Sequence, residues 1–376
     1  MSDATRASFE RLLMAEPQLD LCAPLGTMVA WPDRTLLHAG PPFRKDEHIP
    51  QPLLNSAAAA ACFEGWATDR KVAHAALAGG ELRLAPAQDY GVVTPLAFVV
   101  SPSIWGLRVS DAGGQADARF TPLNDGPPPA ALRFGAVHAE QGARLDLLRR
   151  IGPDLARALA APIALLPLLR AGLDGGDDLH GRVAAANAAF AGQLAPRLTG
   201  AARDYVDLAN QFVLNVIMAG CAMMIGAGGG VEGSDFVVSA GGNGVRLGWK
   251  TAADPGSWQT MPATAPVGPR FANAGAAIFL PAIGDSAVID ACGFGAAALR
   301  YAPDMIAALR GHVDDVWFTP AVSAPFLGGH PVFTADLKLG LSVTCAKPVR
   351  GVMLAALDAA GDKGLIGRGI APWPVA

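Results

Sequence analysis

The stretch from Gly172 to Arg182 holds the densest group of chemically versatile side chains in the chain. The polar side chains of this glycine-rich turn include Asp177, Asp178, His180 and Arg182. The aspartates and the histidine could move a proton, and Arg182 could bind a carboxylate or a phosphate. We therefore take Asp177, Asp178 and His180 as candidate catalytic residues. The alternative is a helix cap with solvated charges, since an alanine-rich helical segment follows directly.

A second polar turn is Gly284-Asp285-Ser286. A glycine followed by two short polar residues exposes backbone N–H groups that could bind an oxyanion. No Gly-x-Ser-x-Gly motif surrounds Ser286, so a serine nucleophile has little support. An ordinary turn stabilised by the aspartate side chain is the competing interpretation.

Further candidates for binding an anionic substrate lie in three other segments. His38 stands in a stiff His-Ala-Gly-Pro-Pro turn, and Glu64 from the next element could pair with it. Asn124 precedes an Asp-Gly turn, and Arg133 lies in an apolar segment where a cation needs a carboxylate or a ligand as its partner. Asn243 belongs to an Asn-Gly turn of type I′ character. We expect the segments near residues 38, 180 and 285 to converge on one anion-lined cavity.

Composition argues against several classes of protein. Charged residues make up 16% of the chain and the net charge is −4, so the basic surface of a nucleic-acid-binding protein is missing. No uninterrupted apolar run reaches the ~20 residues of a membrane-spanning helix. The polar segment 1–10 has no apolar signal region. We predict a cytoplasmic protein without nucleic-acid or membrane partners, with part of its uncharged surface buried against other subunits or further copies of the chain.

Motifs for metal and nucleotide binding are missing from the sequence. The cysteines are Cys22, Cys62, Cys221, Cys292 and Cys345. They lie far apart without zinc-binding spacing, so we expect buried, reduced thiols. The glycine run 226–230 lacks Gly-Lys-Ser/Thr, and no strand–Gly-x-Gly-x-x-Gly–helix unit occurs. We predict no bound metal and no organic cofactor.

Hydrophobic periodicity and turn residues predict a mixed α/β (α+β) chain. We expect two α/β domains, residues 1–140 and 204–376, with a small helical unit at 141–203 between them. The more specific expectations are a helix pair or broken helix at 53–77, a strand at 131–137, one long helix at 205–225, a hairpin at 235–250, a loop at 252–268 and a helix at 294–309.

Motifs in collinear order over nearly the whole chain resemble the YlbE-like (AllG) family. The matching segments are Thr35–Pro42, Phe63–Ala67, Ser101–Ser103, Asn124–Gly126, Leu132–Ala136, Gly176–Arg182, Asn210–Asn215, Glu232–Ser234, Gly242–Val245, Ile283–Ala287 and Gly364–Ile370. Their order is more specific than any single motif. Family members carry a Rossmann-like domain before the His-Ala-Gly-Pro-Pro motif, and only about 35 residues precede it here. The resemblance therefore implies an α/β fold with a helical insert and no complete Rossmann domain.

The resemblance also implies a role in carbamoyl transfer. The best-understood family members act with FdrA-like and AllH-like proteins as an oxamate carbamoyltransferase. That system cleaves oxalurate with phosphate into oxamate and carbamoyl phosphate in allantoin catabolism. On this hypothesis Arg133, Arg182 and the Gly284 backbone bind the phosphate and the carbamoyl oxygen. Asp178 and His180 then handle the proton of the amine, and phosphate or carbamoyl phosphate is the co-substrate.

Two alternatives remain open from the sequence. The chain could be a non-catalytic scaffold or ligand-binding subunit, because the sequence Ala87-Gln-Asp-Tyr stands where the family has a histidine-rich run and Gly242 stands where it has an arginine. It could also be an independent amidohydrolase-like enzyme that uses its carboxylates, although the sequence shows neither a metal-ligand cluster nor an activated nucleophile.

Overall fold

Helices and short strands alternate along the computed structural model of the chain, which describes residues 1–334, 336–344 and 350–373. The helices are α1 Asp3–Met14, α2 Leu25–Met28, α3 Gln51–Phe63, α4 Arg70–Ala78, α5 Gln141–Ala158, α6 Leu165–Asp174, α7 Ala184–Leu194, α8 Gly200–Leu208, α9 Phe212–Gly226, α10 Ala287–Cys292 and α11 Pro303–Leu309. The strands are β1 Pro17–Pro24, β2 Thr35–His38, β3 Arg83–Pro86, β4 Trp105–Asp111, β5 Arg119–Pro122, β6 Ile163–Ala164, β7 Val237–Asn243, β8 Arg246–Thr251, β9 Asp254–Pro262, β10 Ile283–Gly284, β11 Phe326–Gly328, β12 Leu339–Leu341, β13 Gly351–Leu357 and β14 Leu365–Pro372.

The strands form several small sheets. One antiparallel sheet has the order β5-β4-β1-β6, and another has the order β10-β7-β8-β9. Antiparallel pairs are formed by β11 with β12 and by β13 with β14, whereas β2 and β3 are parallel. The predicted mixed α/β class is confirmed. The division into two domains and a helical unit stays a prediction.

Helix α9 is the central element of the core. It is apolar on all sides and packs on β1, β4 and β5 of the first sheet and on β7 of the second. A helix that is hydrophobic all round must be buried, and this one is. Its buried polar residue Asn215 is therefore held in a rigid, water-poor setting.

The expected single helix at 205–225 is wrong, because the chain breaks between α8 and α9. The two helices meet at 79°. Side chains from elsewhere satisfy backbone groups at the break. The Nδ2 of Asn124 donates to the Gln211 carbonyl (3.0 Å), and the Oδ1 of Asn187 accepts from the Val213 N–H (3.1 Å). In a continuous helix the Val213 N–H would donate to the Ala209 carbonyl, and the bond to Asn187 replaces that one.

Other expected elements differ in detail. The helix pair at 53–77 is confirmed by α3 and α4, but the expected strand at 131–137 is a 3₁₀ turn, Leu132–Phe134, ended by Gly135. The helix expected at 294–309 is a 3₁₀ segment followed by α11, because Pro303 cannot continue a helix and instead begins one. The expected loop at 252–268 contains β9. The hairpin at 235–250 is confirmed by β7 and β8. Its expected type I′ turn is wrong, because Asn243 is the last residue of β7 and lacks the positive φ that this turn requires, although Gly244 has φ +85°.

Two further expectations concern cysteines and membranes. Among the described residues the free cysteines are Cys22, Cys221 and Cys292, which are buried, and Cys62, which is half-buried. Cys345 lies outside the described residues. No single helix of the described ranges is long and apolar enough to cross a membrane. The bent pair α8–α9 passes that test only when both helices are counted together.

The turn after β2 contacts the backbone of β7 so closely that a side chain at Gly40 should destabilise the fold. Gly40 has φ +76°, and a Cβ there would lie 2.3 Å from the Gly242 carbonyl carbon. Gly65 has φ +69°, but its Cβ would meet open space. We expect Gly65→Ala to cost about 1 kcal/mol of unfolding free energy for the left-handed conformation. Gly40→Ala should cost about 3 kcal/mol, because backbone must also move. Urea unfolding of both variants tests this, and equal losses would contradict it.

Candidate functional site

A cavity of about 110 Å³ lies where the 133–134 turn, the loop before α7, the start of α9, the loop before α10, and strands β13 and β14 meet. Its walls are mostly apolar, and Phe134, Leu214, Phe271 and Met353 are among them. The polar side chains that line the cavity are Arg133, His180, Gln211, Asn215, Ser286 and Arg368. A few polar groups in an apolar cavity are typical of a small-molecule site.

The cavity brings together residues from three of the segments chosen from sequence. Arg133, His180 and Ser286 all line it. The segments near residues 180 and 285 therefore converge on this cavity, as expected. His38 lies outside this cavity lining, although its neighbour Gly40 donates to Asp285 (2.9 Å).

His180 is held by a buried carboxylate. Its Nδ1 lies 2.7 Å from Oδ2 of Asp290, and both side chains are almost fully buried. The other oxygen of Asp290 accepts from the backbone N–H groups of Ala296 (2.8 Å) and Met353 (3.1 Å). A carboxylate only accepts hydrogen bonds, so Nδ1 of His180 carries the proton. Nε2 is then the ring nitrogen left to exchange a proton with a ligand.

Arg133 has a carboxylate partner within the protein. Its Nη1 donates to Oδ1 of Asp125 and to the Gly126 carbonyl (2.6 Å), and its backbone N–H donates to Oδ2 of Asp125 (3.0 Å). The guanidinium also lies 4.3 Å from the ring centroid of Phe134. Arg133 therefore presents hydrogen-bond donors to the cavity while its charge is balanced by Asp125.

Arg368, on β14, differs from Arg133 in having no such balance. Within the described ranges no carboxylate lies within ion-pair distance of it; its Nη1 contacts Met305 Sδ (3.6 Å), and its guanidinium lies 5.4 Å from the Phe271 ring centroid. The strand around it is tightly packed, since a Cβ on Gly369 would lie 2.2 Å from the Val267 carbonyl oxygen. A half-buried cation without a carboxylate attracts an anionic ligand.

Two buried polar atoms of the residues that line the cavity have no hydrogen-bond partner among the described residues. They are Oγ of Ser286 and Oδ1 of Asn215, whose Nδ2 donates to the Pro122 carbonyl (2.9 Å). Both residues are at most 3% exposed. Buried polar atoms are nearly always paired, so each of these two lacks a partner that a bound molecule could supply.

The acidic turn before α7 shapes the wall that carries His180. Asp177 accepts from Arg182 and from the Ala186 N–H (2.8 Å) in the first turn of α7, whose N-cap residue is Val183. The alternative interpretation of this segment was a helix cap with solvated charges, but Asp177 is neither the N-cap residue nor solvated, since it is fully buried. Asp178 accepts from the backbone N–H groups of Arg182 (2.7 Å), Gly181 and His180. Burial raises the pKa of Asp178 to about 6. Neither aspartate nor Arg182 lines the cavity.

The remaining candidates serve as supports around the cavity or lie away from it. Asn124 binds Gln211 through Nδ2, and its Oδ1 accepts from the Gly126 N–H (2.9 Å). Glu64 accepts from the backbone and the hydroxyl of Ser103, both at 2.8 Å, at the surface. Asn243 donates from Nδ2 to the Pro41 carbonyl (2.9 Å) and thereby ties β7 to the turn after β2.

Asp285 and Gly284 hold the loop 94–96, of which Pro95 and Leu96 line the cavity. The carboxylate of Asp285 accepts from Thr94 N–H (2.9 Å), Gly40 N–H (2.9 Å) and Gln88 Nε2 (2.6 Å). Burial raises the pKa of Asp285 to about 7. A Cβ on Gly284 would lie 2.8 Å from the Leu96 nitrogen, so a side chain there would displace the loop.

His38 is fully buried, and this predicts a pH effect on stability. Its Nδ1 donates to the Ala39 carbonyl (2.8 Å), and burial lowers its pKa from 6.5 to about 4. In the unfolded chain His38 binds a proton below pH 6.5, whereas in the folded chain it does so only below about pH 4. His38 therefore makes stability rise with pH across that window, by at most about 3 kcal/mol. His38→Asn keeps the donor but cannot titrate, so we expect a flatter rise in urea-unfolding free energy; an unchanged slope would refute this.

Asp290, Asn215 and Arg368 belong to the site but were not predicted from the sequence. Asn215 and Arg368 lie in segments quoted for the family resemblance, Asn210–Asn215 and Gly364–Ile370, and that was the available signal. Asp290 stands in an apolar stretch where a lone charge needs a partner. Among the residues that the structure describes, no three His, Cys, Asp or Glu side chains are grouped as a metal site.

Comparison with known proteins identifies the family. The family model described as "Oxamate carbamoyltransferase subunit AllG" matches residues 82–286, more than half of the chain. The chain belongs to the AllG family. The matched range includes Arg133, His180, Asn215 and Ser286, whereas Asp290 and Arg368 follow it.

Two curated relatives and one solved structure support the assignment of this AllG-family chain. "Oxamate carbamoyltransferase subunit AllG" of Escherichia coli (strain K12) is 29% identical over 318 residues, which cover 81% of this chain and 75% of the relative. "Uncharacterized protein YahG" of the same strain is 28% identical over an alignment that covers 99% of this chain and 83% of that relative. A conserved protein of unknown function from Enterococcus faecalis V583 matches with a TM-score of 0.90 at 24% identity, covering 99% of this chain and 94% of that one. This last likeness shows the fold.

Proposed function

We propose that this chain is a subunit of a multi-component carbamoyltransferase that acts on a ureido (N-carbamoyl) acid with phosphate. The observation that carries the proposal is the uncompensated cation Arg368 in one cavity with the His180–Asp290 pair. The carboxylate of a ureido acid would neutralise Arg368. The family description, a subunit of an oxamate carbamoyltransferase, supports the same chemistry.

The proposed reaction needs one proton to be moved. An oxygen of hydrogen phosphate attacks the carbamoyl carbon, and negative charge builds on the carbamoyl oxygen. The bond from that carbon to the amine nitrogen then breaks, which gives carbamoyl phosphate and the free amine. His180 takes the proton of the phosphate through Nε2 and returns it to the departing nitrogen, while Asp290 stabilises the imidazolium between the two steps. Asp177, Asp178 and Arg182 hold the turn that positions His180.

Partner subunits are part of this proposal. FdrA-like and AllH-like proteins would complete the enzyme, with phosphate or carbamoyl phosphate as the co-substrate and allantoin or related nitrogen catabolism in the cytoplasm as the setting. The cavity supports an active site to which other subunits contribute residues. Arg133 and His180 are already paired with carboxylates of this chain, so neither has a free charge for the phosphate. Only Arg368 is left for an anion among the described cavity residues, so the phosphate dianion requires cations from elsewhere.

Turnover by the assembled complex tests the proposal. The chain is purified together with the products of its neighbouring genes and incubated with oxalurate and with other ureido acids, with and without phosphate. We expect carbamoyl phosphate and the free amine to form only with phosphate and only with this chain present. Cleavage of none of the ureido acids, or cleavage independent of phosphate, would overturn it.

A ligand-binding subunit without catalytic residues is the second candidate. It is favoured by the small number of unpaired groups in the cavity, since His180 is saturated at Nδ1. His180→Gln in the assembled complex separates the two. Turnover reduced at unchanged substrate affinity supports catalysis by this chain, whereas unchanged turnover supports a binding role.

A further inference from the structure

Asn215 lines the cavity and has an amide oxygen that no described residue donates to. Nδ2 of Asn215 lies 2.9 Å from the carbonyl oxygen of Pro122. A carbonyl oxygen only accepts, so the amide nitrogen must face Pro122 and the assignment of the two amide atoms is settled. Oδ1 is then the atom without a partner. A ligand that satisfies it has to bring an N–H or O–H donor.

Ser286 supplies the complementary group. Its hydroxyl is buried, has no partner in the described ranges of the chain and can donate to an oxygen of the ligand. It lies in a tightly packed turn, because Gly284 leaves no room for a side chain against Leu96. Asn215 is equally fixed by the buried helix α9. The cavity thus offers an acceptor and a donor on rigid elements, with Arg368 as the cation.

A free carboxylate satisfies only part of this set. It can accept from Ser286 and pair with Arg368, but it has no hydrogen to give to Oδ1 of Asn215. Hydrogen phosphate has one O–H to give, but it has no donor and acceptor side by side in one plane. A carbamoyl group has an N–H₂ donor for Asn215 and a carbonyl acceptor for Ser286 side by side in one planar unit. A ureido acid adds the carboxylate that Arg368 lacks.

We infer that Asn215 and Ser286 recognise the carbamoyl group itself, Oδ1 of Asn215 accepting from the carbamoyl nitrogen and Oγ of Ser286 donating to the carbamoyl oxygen. The inference rests on the proposed function and adds the residues that select the transferred group. Arg368 binds the carboxylate at the other end of the same molecule. In the proposed reaction, the attacking phosphate reaches the carbamoyl carbon from outside this set of contacts.

Binding of two matched ligands to the full chain tests the inference without phosphate or partner subunits. N-carbamoylglycine and N-acetylglycine differ only in an NH₂ that becomes CH₃. Wild-type protein should bind the carbamoyl acid at least about tenfold more tightly in calorimetry, because the methyl leaves Asn215 unpaired. Oxalurate and its N-acetyl counterpart form a second pair with the same difference.

Three variants give distinct expected results. Asn215→Ala should remove the preference, so that the two acids bind within about twofold of each other. Ser286→Ala should weaken both acids by a similar factor, since both have the carbonyl oxygen. Thr121→Val is the matched control, because Thr121 also has a buried hydroxyl without a partner but does not line the cavity. It should leave both affinities unchanged.

Wild-type protein that binds both acids equally, or that binds neither, would overturn the inference, and so would a preference that survives in Asn215→Ala. The wild-type comparison stands even if that variant does not fold. Failure of the proposed function is a separate result, the loss of phosphate-dependent turnover in the assembled complex. Selective binding without turnover leaves the inference in place and removes only the proposed reaction.

Discussion

Arg368→Met is expected to weaken binding of a ureido acid by roughly 30-fold or more, which corresponds to about 2 kcal/mol or above for a charge-assisted contact in a partly desolvated site. Methionine keeps the apolar part of the side chain against Phe271 and Met305, so the free energy of unfolding should change little. Calorimetric titration with oxalurate measures the effect. Arg368→Lys should recover only part of the affinity, since an ammonium group does not reproduce the planar guanidinium.

Arg270→Met is the matched control for the loss of charge. Arg270 also stacks on a phenylalanine, with its guanidinium 4.9 Å from the Phe279 ring centroid, but it does not line the cavity. Affinity for the ureido acid should remain within about twofold of wild type. Equal losses in Arg270→Met and Arg368→Met would show that general electrostatics, not a contact in the cavity, holds the ligand.

Asp290→Asn is expected to lower turnover of the assembled complex by about 100-fold or more, because it moves the proton of the neutral His180 ring from Nδ1 to Nε2. Two backbone N–H groups point at Oδ1 of Asp290, so the amide oxygen of the variant must stay there. The amide nitrogen then faces Nδ1 of His180 and donates to it. The neutral ring is forced to carry its proton on Nε2, where the proposed reaction needs an acceptor.

Ring-nitrogen NMR of labelled histidine at a pH above the histidine range distinguishes this effect from simple damage. The signals of His180 should show Nδ1–H in wild type and Nε2–H in Asp290→Asn. Asp358→Asn is a control of similar burial, because Asp358 also accepts several backbone N–H groups but has no histidine partner. It should lose stability without the change in turnover. An unchanged His180 tautomer in Asp290→Asn would rule out the proposed role of Asp290.

Side-chain chemistry within short segments located part of the candidate site. His180 was singled out by the density of polar groups around it, Ser286 by its polar turn and Arg133 by its apolar context. The structure has all three on one cavity. Their immediate partners were foreseen less well. The acids Asp177 and Asp178 shape the turn before α7 by accepting backbone N–H groups. The carboxylate that binds His180 is Asp290, which lies 110 residues away.

Arg368 shows why composition and periodicity were insufficient. Arginines on strands are common and usually paired, so neither its type nor its spacing distinguishes it. It becomes notable only when the packing of β14 leaves it half-buried without a carboxylate. Asn215 was hidden in the same way. Within an apolar helix it suggests a buried polar contact, but its free acceptor is defined by Pro122 on another element.

Spacing, turn residues and the types of side chain were enough to establish the mixed α/β class, the helix pair and the β-hairpin. These properties depend on interactions over a few residues, which a linear pattern records. The break between α8 and α9, the partners of each buried charge and the group of residues that share the cavity depend on contacts between distant segments. Those contacts arise when α9 is buried between two sheets and every buried polar group near it must find a partner, a constraint that acts in three dimensions.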